Sequence, residues 1–483
     1  MTDLRLSLII PVYNSMPYLT ELLDSVFSQT MSAAEFEVIA VDDGSTDGSG
    51  DELDRFAATH SNLHVIHQEN WGWPGQPRNR ALNAARGRYV FFADSDDKFD
   101  PSAFTVMCDF ADAHASDIVL PQMGSINGRW VQPKLYARTR IDADLSSVLT
   151  TLGPMKLFRR TFLDKHGLRF PEEKVRLEDG IMLSRAYFLA QRVSVVTGAD
   201  YYQIRSRDDG QNISSRYLDP DEYTWAIAQV SRNIRDYDPD PKRADRIILD
   251  LYRRKCLKFY APDRFVRLKQ ERAKRFIEVH QQFQREFIPV ELEAALEEPF
   301  RSRSEWVRAG DIEAIRVGSQ IAAVELAPTL VRWQLTSRGA ELQIRSRVFS
   351  GGAVDESHVL QVSKRGSNWS YMLPAVRLTR GADKKSNTIT AEFRLGWRRL
   401  LVPSERVVDL HLIRRVGYDD DPRKDLVQRA RVASAPEVEA SLVARGNVHP
   451  YCTAQGNISI KLTTGRRGEI LAWARKIKNA VRR

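Results

Sequence analysis

Between Leu4 and about Tyr202 the chain alternates apolar, β-rich runs with amphipathic segments of helical period. LSLIIPVYN is followed by MPYLTELLDSVFSQT, then by EFEVIAVDD, a Gly/Ser turn and a polar helix, NLHVIHQ, a loop, PRNRALNAARG and RYVFFADSDD. Such runs separated by helices predict an α/β fold with a mostly parallel sheet and helices on both faces. In sheets of this kind ligands sit beyond the carboxyl ends of the strands. The unusual residues fall at those ends: Pro11-Val12-Tyr13-Asn14, Asp42-Asp43-Gly44-Ser45 and Asp94-Ser95-Asp96-Asp97.

After about Asn212 the texture turns to charged helical sequence, including AIAQVSRNIRDY and RIILDLYRRKCLKFY, which runs to about Arg308. Beyond it, AIRVGSQIAAVELAPTLVRWQLTSRGAELQIRSRVFSGG and NTITAEFRLGW alternate with turn residues and predict a β-sandwich module. The expected division is an α/β domain over 1–212, a helical subdomain over 213–308, the β-sandwich over 309–464 and a basic amphipathic tail over 465–483. The tail sets Ile470, Ile477 and Val481 on one helical face amid Arg and Lys. That pattern suits an anionic membrane surface, or equally a solvated helix packed on its own domain.

Composition adds bounds. The 483 residues, 42% of them hydrophobic, suffice for two or three domains with real cores. Seventy-two Lys plus Arg against 63 Asp plus Glu leave a net charge of +9. That excess favours polyanionic partners without choosing among nucleic acid, acidic lipid and a phosphate-rich polymer. Cys108, Cys256 and Cys452 are too scattered for a disulfide framework or zinc cluster, and predict a reducing, cytoplasmic setting. The first apolar run is too short for a signal peptide, and no stretch approaches the ~20 apolar residues that span a bilayer.

Asp94, Asp96 and Asp97 crowd one strand end and repel one another unless something positive sits among them. An Asp-x-Asp there offers two hard oxygen ligands to Mg2+ or Mn2+, with other positions left for water and phosphate oxygens. Alternatively, Asp97 or Asp94 caps the helix that begins near Pro101. Asp42 and Asp43 are expected on the same sheet edge, before a Gly44-Ser45-Thr46 turn that allows close backbone approach to a ligand. A carboxylate there can accept a ring N–H such as that of uracil, whereas it repels a phosphate. No G-x-G-x-x-G follows the first strand, which argues against a dinucleotide fold and leaves a pyrophosphate to a metal and basic side chains.

Four ordered motifs, SLIIPVYNSMPYLTELLDSVFSQT, EVIAVDDGSTDGS, PRNRALNAARGRYVFFADSDD and LEDGIMLSRAYFLA, resemble the family-two inverting glycosyltransferases of GT-A fold, over roughly the first 210 residues. The resemblance implies that Pro11, Tyr13 and Asp42 hold the uracil of a UDP-sugar and that Arg78 faces the nucleotide. It implies further that Asp94 reaches the ribose or a metal and that Asp96 ligates Mn2+ or Mg2+. The general base falls to the second acid of Glu178-Asp179, with Glu178 positioning the acceptor or the base. A sugar hydroxyl is a poor nucleophile, so a carboxylate must take its proton while a metal neutralises the leaving diphosphate. Taken without the upstream motifs, Glu178-Asp179 reads as an acidic first turn complementing a helix dipole.

YYQIRSRDDG is similar to the family segment in which an aromatic strand is followed by Arg near the donor diphosphate. Arg205, or Arg207 with it, supplies that charge, binds an anionic acceptor, or lies in a solvated loop. ENWGWPGQPRN departs from the commoner family form, where a small residue precedes Arg-Asn, and resembles the subgroup that attaches N-acetylglucosamine to wall teichoic acid. Trp71 and Trp73 in it stack on a sugar or form a lid, or else pack on the helix starting at Pro77. The subgroup also implies self-association through the β-module, hence a homo-oligomer and by analogy a trimer.

The expectation is metal-dependent, inverting transfer of N-acetylglucosamine or glucose from a UDP-sugar to a hydroxyl of an anionic cell-wall polymer such as teichoic acid. The setting is cytoplasmic or peripheral on the inner membrane face, with no nucleic-acid partner. One alternative keeps the chemistry but has a neutral exopolysaccharide, capsule or lipid-linked glycan as acceptor. The other is a non-catalytic sugar-nucleotide or glycan-binding module, against which Asp96 and Asp179 stand, since such a module needs neither.

Overall fold

The computed structural model describes residues 4–210, 218–265, 267–323, 326–347, 355–366, 369–383, 386–396, 406–417, 426–439, 442 and 448–462. The chain divides into two compact units, Met1–Cys256 with Gln282–Pro289, and Leu257–Gln281 with Val290–Arg483.

In the first unit, β1 (Leu6–Val12), β2 (Phe36–Asp42), β3 (Leu63–His67), β4 (Tyr89–Phe92), β6 (Ile118–Pro121), β8 (Leu157–Arg159) and β9 (Val193–Val196) form one sheet in the order β3-β2-β1-β4-β8-β6-β9. Its neighbours pair in parallel except on either side of β8, which runs antiparallel to β4 and β6. A second, three-stranded sheet joins β5 (Lys98–Phe99), β10 (Tyr202–Arg205) and β7 (Met123–Ile126). The helices are α1 (Tyr18–Phe27), α2 (Ser49–Ala57), α3 (Gly75–Ala84), α4 (Ala103–His114), the short α5 (Leu145–Val148) and α6 (Arg160–Lys165), and α7 (Glu178–Leu189).

Every residue of β2 is buried, because helices cover both faces of the sheet; that is why its sequence reads as a continuous apolar run. Leu8, Ile10, Leu22, Val38 and Phe91 share one core, each buried aliphatic side chain contributing about 1.5–3 kcal/mol. The acids at the ends of β2 and β4 therefore sit on a rigid, dry platform.

The span 213–308, expected as a helical subdomain, is divided between the two compact units. Its first two helices, α8 (Pro220–Tyr237) and α9 (Pro241–Lys255), belong to the first unit. Asn233 of α8 donates to the Ile181 carbonyl of α7 at 3.0 Å and to Ser184 Oγ at 2.9 Å, beside the buried Ile227, Val230 and Ile234.

The second unit begins with helices α10 (Pro262–Phe265), the part of α11 (Gln270–Phe287) up to Gln281, α12 (Val290–Glu293), α13 (Phe300–Ala309) and α14 (Ile312–Ala323). The segment from Ile312, expected to open the β-module, is therefore helical. A Cβ on Gly318 would stand 2.3 Å from the Trp306 ring, so the bare backbone of α14 lies against α13.

Strands start at Thr329. One sheet holds β11 (Thr329–Leu335), β12 (Gly339–Arg347), β15 (Arg377–Asp383), β16 (Ser386–Gly396) and β19 (Ala433–Ser434); the other holds β13 (Asp355–Lys364), β14 (Ser370–Pro374), β17 (Arg406–Gly417), β18 (Leu426–Arg431), β20 (Val448–Cys452) and β21 (Ile458–Leu462). Leu342, Ile344 and Phe393 of one sheet share a core with Leu360, Leu410 and Leu412 of the other, which is the expected sandwich. No helix among the described residues is long and apolar enough to cross a membrane. The tail over 465–483 lies outside the described residues.

Candidate active site

The carboxyl ends of β1, β2 and β4 bring the expected residues to one edge of the first sheet. Pro11 pairs with Val41 near the end of β1, and Tyr13 beyond it is 42% exposed, which leaves its ring open to a stacking base. Asp42 closes β2. One of its oxygens accepts from the Ser45 amide at 3.0 Å and the other lies 3.0 Å from His67 Nδ1. His67 also reaches Asp54 through Nε2 at 3.1 Å, and the hydrogen bonds it donates to Asp42 and Asp54 hold its imidazole above the ordinary histidine range.

Asp43 faces the other way. It accepts from the backbone amides of Trp71 at 2.8 Å and Gly72 at 3.0 Å and from Gln68 at 2.7 Å, and so ties down the tryptophan loop. Within that loop the two tryptophans part company. Trp71 donates its indole N–H to the Glu172 carbonyl at 3.0 Å and keeps an exposed ring face. The indole N–H of Trp73 is buried, finds no acceptor at standard hydrogen-bond geometry, and lends its positive edge to Glu178. The helix after the loop starts at Gly75 rather than at Pro77, which is tolerated inside the first turn.

Arg78 organises the centre. It is 3% exposed; Nη2 donates to Asp94 at 2.9 Å, and Nη1 donates to Asp179 at 2.6 Å and to Glu178 at 3.5 Å. Burial works against its charge, but Asp179, Asp94 and Glu178 more than offset that and hold the guanidinium above its ordinary range. Arg78 was expected to face the nucleotide. Its terminal nitrogens are engaged by three carboxylates that converge on the space it fills.

Glu178 and Asp179 form the first turn of α7, whose N-cap Leu177 adopts a left-handed φ of 72°. Burial pushes both carboxyls up, and Arg78 pulls both back. A carboxylate raised in this way is a stronger base near neutral pH.

The acids after β4 divide by environment. Burial and the neighbouring Asp94 push Asp96 up to about 6, opposed by Arg207 and Arg129. Asp97 is buried and caps no helix: it accepts from the Arg205 amide at 2.8 Å and from the Tyr202 hydroxyl, which itself accepts from the Asp94 amide at 2.8 Å. The turn before α4 is held by Asp100, which accepts from Ser102 N and Oγ. Asp97 thus locks the strand end that presents Asp94 and Asp96.

Arg205 is expected at the donor diphosphate, at an anionic acceptor or in a solvated loop. It donates to Glu21 at 2.6 Å and to the Asp96 carbonyl at 2.8 Å, with its guanidinium 5.2 Å from the Tyr18 ring. Arg207 acts on the Asp96 charge and donates to the Asn14 carbonyl at 3.1 Å. Its Nη2 also pairs with Asp209 at 2.7 Å.

Asp96 and Asp94 suit a divalent cation in chemistry, as neighbouring hard oxygens whose repulsion only partly offsetting cations relieve. Among the described residues no group of three His, Cys, Asp or Glu is placed to hold a metal ion by itself. A cation held there would need phosphate oxygens and water to complete its shell.

Residues 7–167 match the glycosyl transferase family 2 domain, and residues 220–317 match the glycosyl transferase TarS linker domain. The chain is 36% identical over 248 residues to a poly(ribitol-phosphate) β-glucosyltransferase of Bacillus spizizenii, covering 51% of this chain and 39% of that one. It is 32% identical over 317 residues to the poly(ribitol-phosphate) β-N-acetylglucosaminyltransferase TarS of Staphylococcus aureus, covering 65% and 55%. The chain thus spans about half the length of these curated relatives. Among solved structures, residues 1–349 of S. aureus TarS in complex with UDP-GlcNAc superpose with a TM-score of 0.60 at 28% identity, over 72% of this chain and 97% of that one. The putative glycosyltransferase EpsH of Bacillus subtilis is 34% identical over 251 residues, covering 48% of this chain and 71% of its own length. With a matched family domain that carries the acid-bearing strand ends and a relative covered over most of its length, the chain belongs to glycosyl transferase family 2.

Proposed function

We propose that this protein transfers N-acetylglucosamine or glucose from a UDP-sugar to a hydroxyl of a polyol-phosphate polymer of the cell envelope, with inversion at the anomeric carbon. The observation that carries the reading is the bridge made by Arg78, which joins the donor-side Asp94 to the acceptor-side Asp179 through one buried guanidinium. The relatives named for poly(ribitol-phosphate) transfer support the acceptor class, and the net charge of +9 favours an anionic polymer.

In this reading Tyr13 stacks on the uracil, Asp42 accepts its ring N–H, and His67 holds Asp42 in place. Asp94 has one oxygen committed to Arg78 and offers the other to a ribose hydroxyl or a metal. Asp96, with Asp94, would hold a Mn2+ or Mg2+ ion, which would supply neutralisation of the charge on the departing diphosphate. Asp179 takes the proton of the acceptor hydroxyl as that oxygen bonds to the anomeric carbon and the bond from that carbon to UDP breaks. One displacement inverts the centre, so an α-linked donor yields a β-linked product. Arg78 keeps the Asp179 carboxylate oriented through the step, and Glu178 steers the acceptor.

The work is done in the cytoplasm, where UDP-sugars are available, by a homo-oligomer assembled through the β-module. The test is a panel of UDP-sugars with Mn2+, scored by UDP release with and without poly(ribitol phosphate). Polymer-stimulated release that falls steeply with salt supports the acceptor class, and release indifferent to both polymer and salt favours a neutral glycan.

A further inference from the structure

Lys156 is wholly buried, and the mechanism above leaves it without a task. It lies one residue beyond the Phe91↔Leu157 pair of the antiparallel β4–β8 ladder, level with the strand end that Asp94 follows. The segment before it is clamped to α7. The Tyr187 hydroxyl donates to the Thr151 carbonyl at 2.9 Å, and Leu152 Cδ1 is 3.2 Å from where a Cβ on Gly180 would stand. The absent side chain at Gly180 is what allows the segment so near the first turn of the helix.

The Lys156 ammonium donates to the Gly153 carbonyl and makes no direct ion pair among the described residues. A buried ammonium so lightly paired is costly, and a methionine would fill the space without that cost. Burial pulls Lys156 down to about 7, and the charge of Asp179 opposes the fall. Asp179 is faced by Arg78 from α3, by Glu178 from its own turn, by Asp94 from beyond β4 and by Lys156 from before β8. Arg78 is shared among all three carboxylates.

We propose that Lys156 is a positioning residue for the base, the second cation that lets Asp179 shed its proton inside an acid cluster Arg78 alone does not neutralise. The proposal rests on Asp179 being the base. Removing the lysine charge makes the ionised carboxylate harder to form, so the pH above which the enzyme turns over moves upward. A displacement of about one pH unit corresponds to a tenfold loss of rate below that limb.

The experiment compares Lys156→Met and Lys156→Arg in the full chain. UDP release from UDP-GlcNAc with poly(ribitol phosphate) is followed across pH, and UDP affinity is measured alongside. The expected result is unchanged UDP affinity in both variants, the acidic limb of kcat shifted up by about one unit in Lys156→Met, and the limb restored in Lys156→Arg. A limb in Lys156→Met that coincides with the wild type overturns the proposal, however much rate or thermal stability is lost, since a merely structural lysine does not move the limb. Lys156→Gln serves the same comparison if the methionine variant does not fold. Asp179→Asn, run in parallel, separates the two readings: full turnover there removes the base assignment itself, whereas lost turnover with an unmoved limb in Lys156→Met rejects only the role of the lysine.

Discussion

Arg78 Nη1 donates to Asp179 Oδ1 at 2.6 Å, joining residues a hundred positions apart, and the same guanidinium holds Asp94 at 2.9 Å. Donor-side and acceptor-side acids thus share one buried counter-ion. Arg78→Ala is expected to leave three carboxylates without it and to cost about 3–5 kcal/mol, read as a lowered unfolding midpoint in denaturant. Arg78→Lys keeps a charge but not the fork, and is expected to fold while losing at least about tenfold in kcat through a loosened base. A lysine variant with wild-type kcat would contradict the bridge.

Asp96→Asn is expected to remove the Mn2+-dependent part of UDP binding and leave the metal-independent part intact. Calorimetric titration of UDP with and without Mn2+ decides it. An unchanged metal increment would move the metal role off Asp96.

Gly75 opens α3, and a Cβ there would stand 2.2 Å from the Pro171 carbonyl. Asn79 of the same helix bonds the Phe170 carbonyl at 2.9 Å and Glu172 at 3.0 Å. Gly75→Ala is therefore expected to cost about 1–3 kcal/mol and, by displacing the helix that carries Arg78, to lower kcat more than it raises the KM for donor. A kcat that stays at the wild-type value would show that the α3 start does not control the site.

His67 is held protonated more readily in the folded chain, by hydrogen bonds to Asp42 and Asp54. Its contribution to stability is thus full below the unfolded value of 6.5 and is lost as pH rises through the higher folded value. The gap in melting temperature between wild type and His67→Gln is expected to narrow as pH is raised from about 6 to about 9. A gap independent of pH would show that the imidazole is not charged there.

The sequence made the strand ends legible, because apolar runs buried on both faces stop abruptly at Asp42 and Asp94. Their local order already separated an Asp-x-Asp pair from a base on a later helix. What it hid depends on contacts between distant positions. Asp97 read as a cap because a helix follows it, yet its partners, the Arg205 amide and Tyr202, arrive from β10. For Arg205 the sequence leaves diphosphate, anionic acceptor and solvated loop open, because nothing nearby in it shows the pairing with Glu21. Lys156 and His67 drew no notice, since a lone lysine before a strand and a lone histidine at a strand end carry no local signature. The segment from Ile312 read as strand through its short apolar runs, and the packing of Gly318 against Trp306 is visible only across two helices.

The central claim is that Asp179 takes the acceptor proton while Asp96 and Asp94 serve the donor. The measurement that tests it most directly is single-turnover sugar transfer from UDP-GlcNAc or UDP-glucose to poly(ribitol phosphate) by Asp179→Asn, with UDP-sugar affinity determined on the same protein. The account expects affinity within about twofold of wild type and transfer slowed by about 10²–10⁴. Transfer at the wild-type rate, or affinity lost in step with transfer, would contradict it.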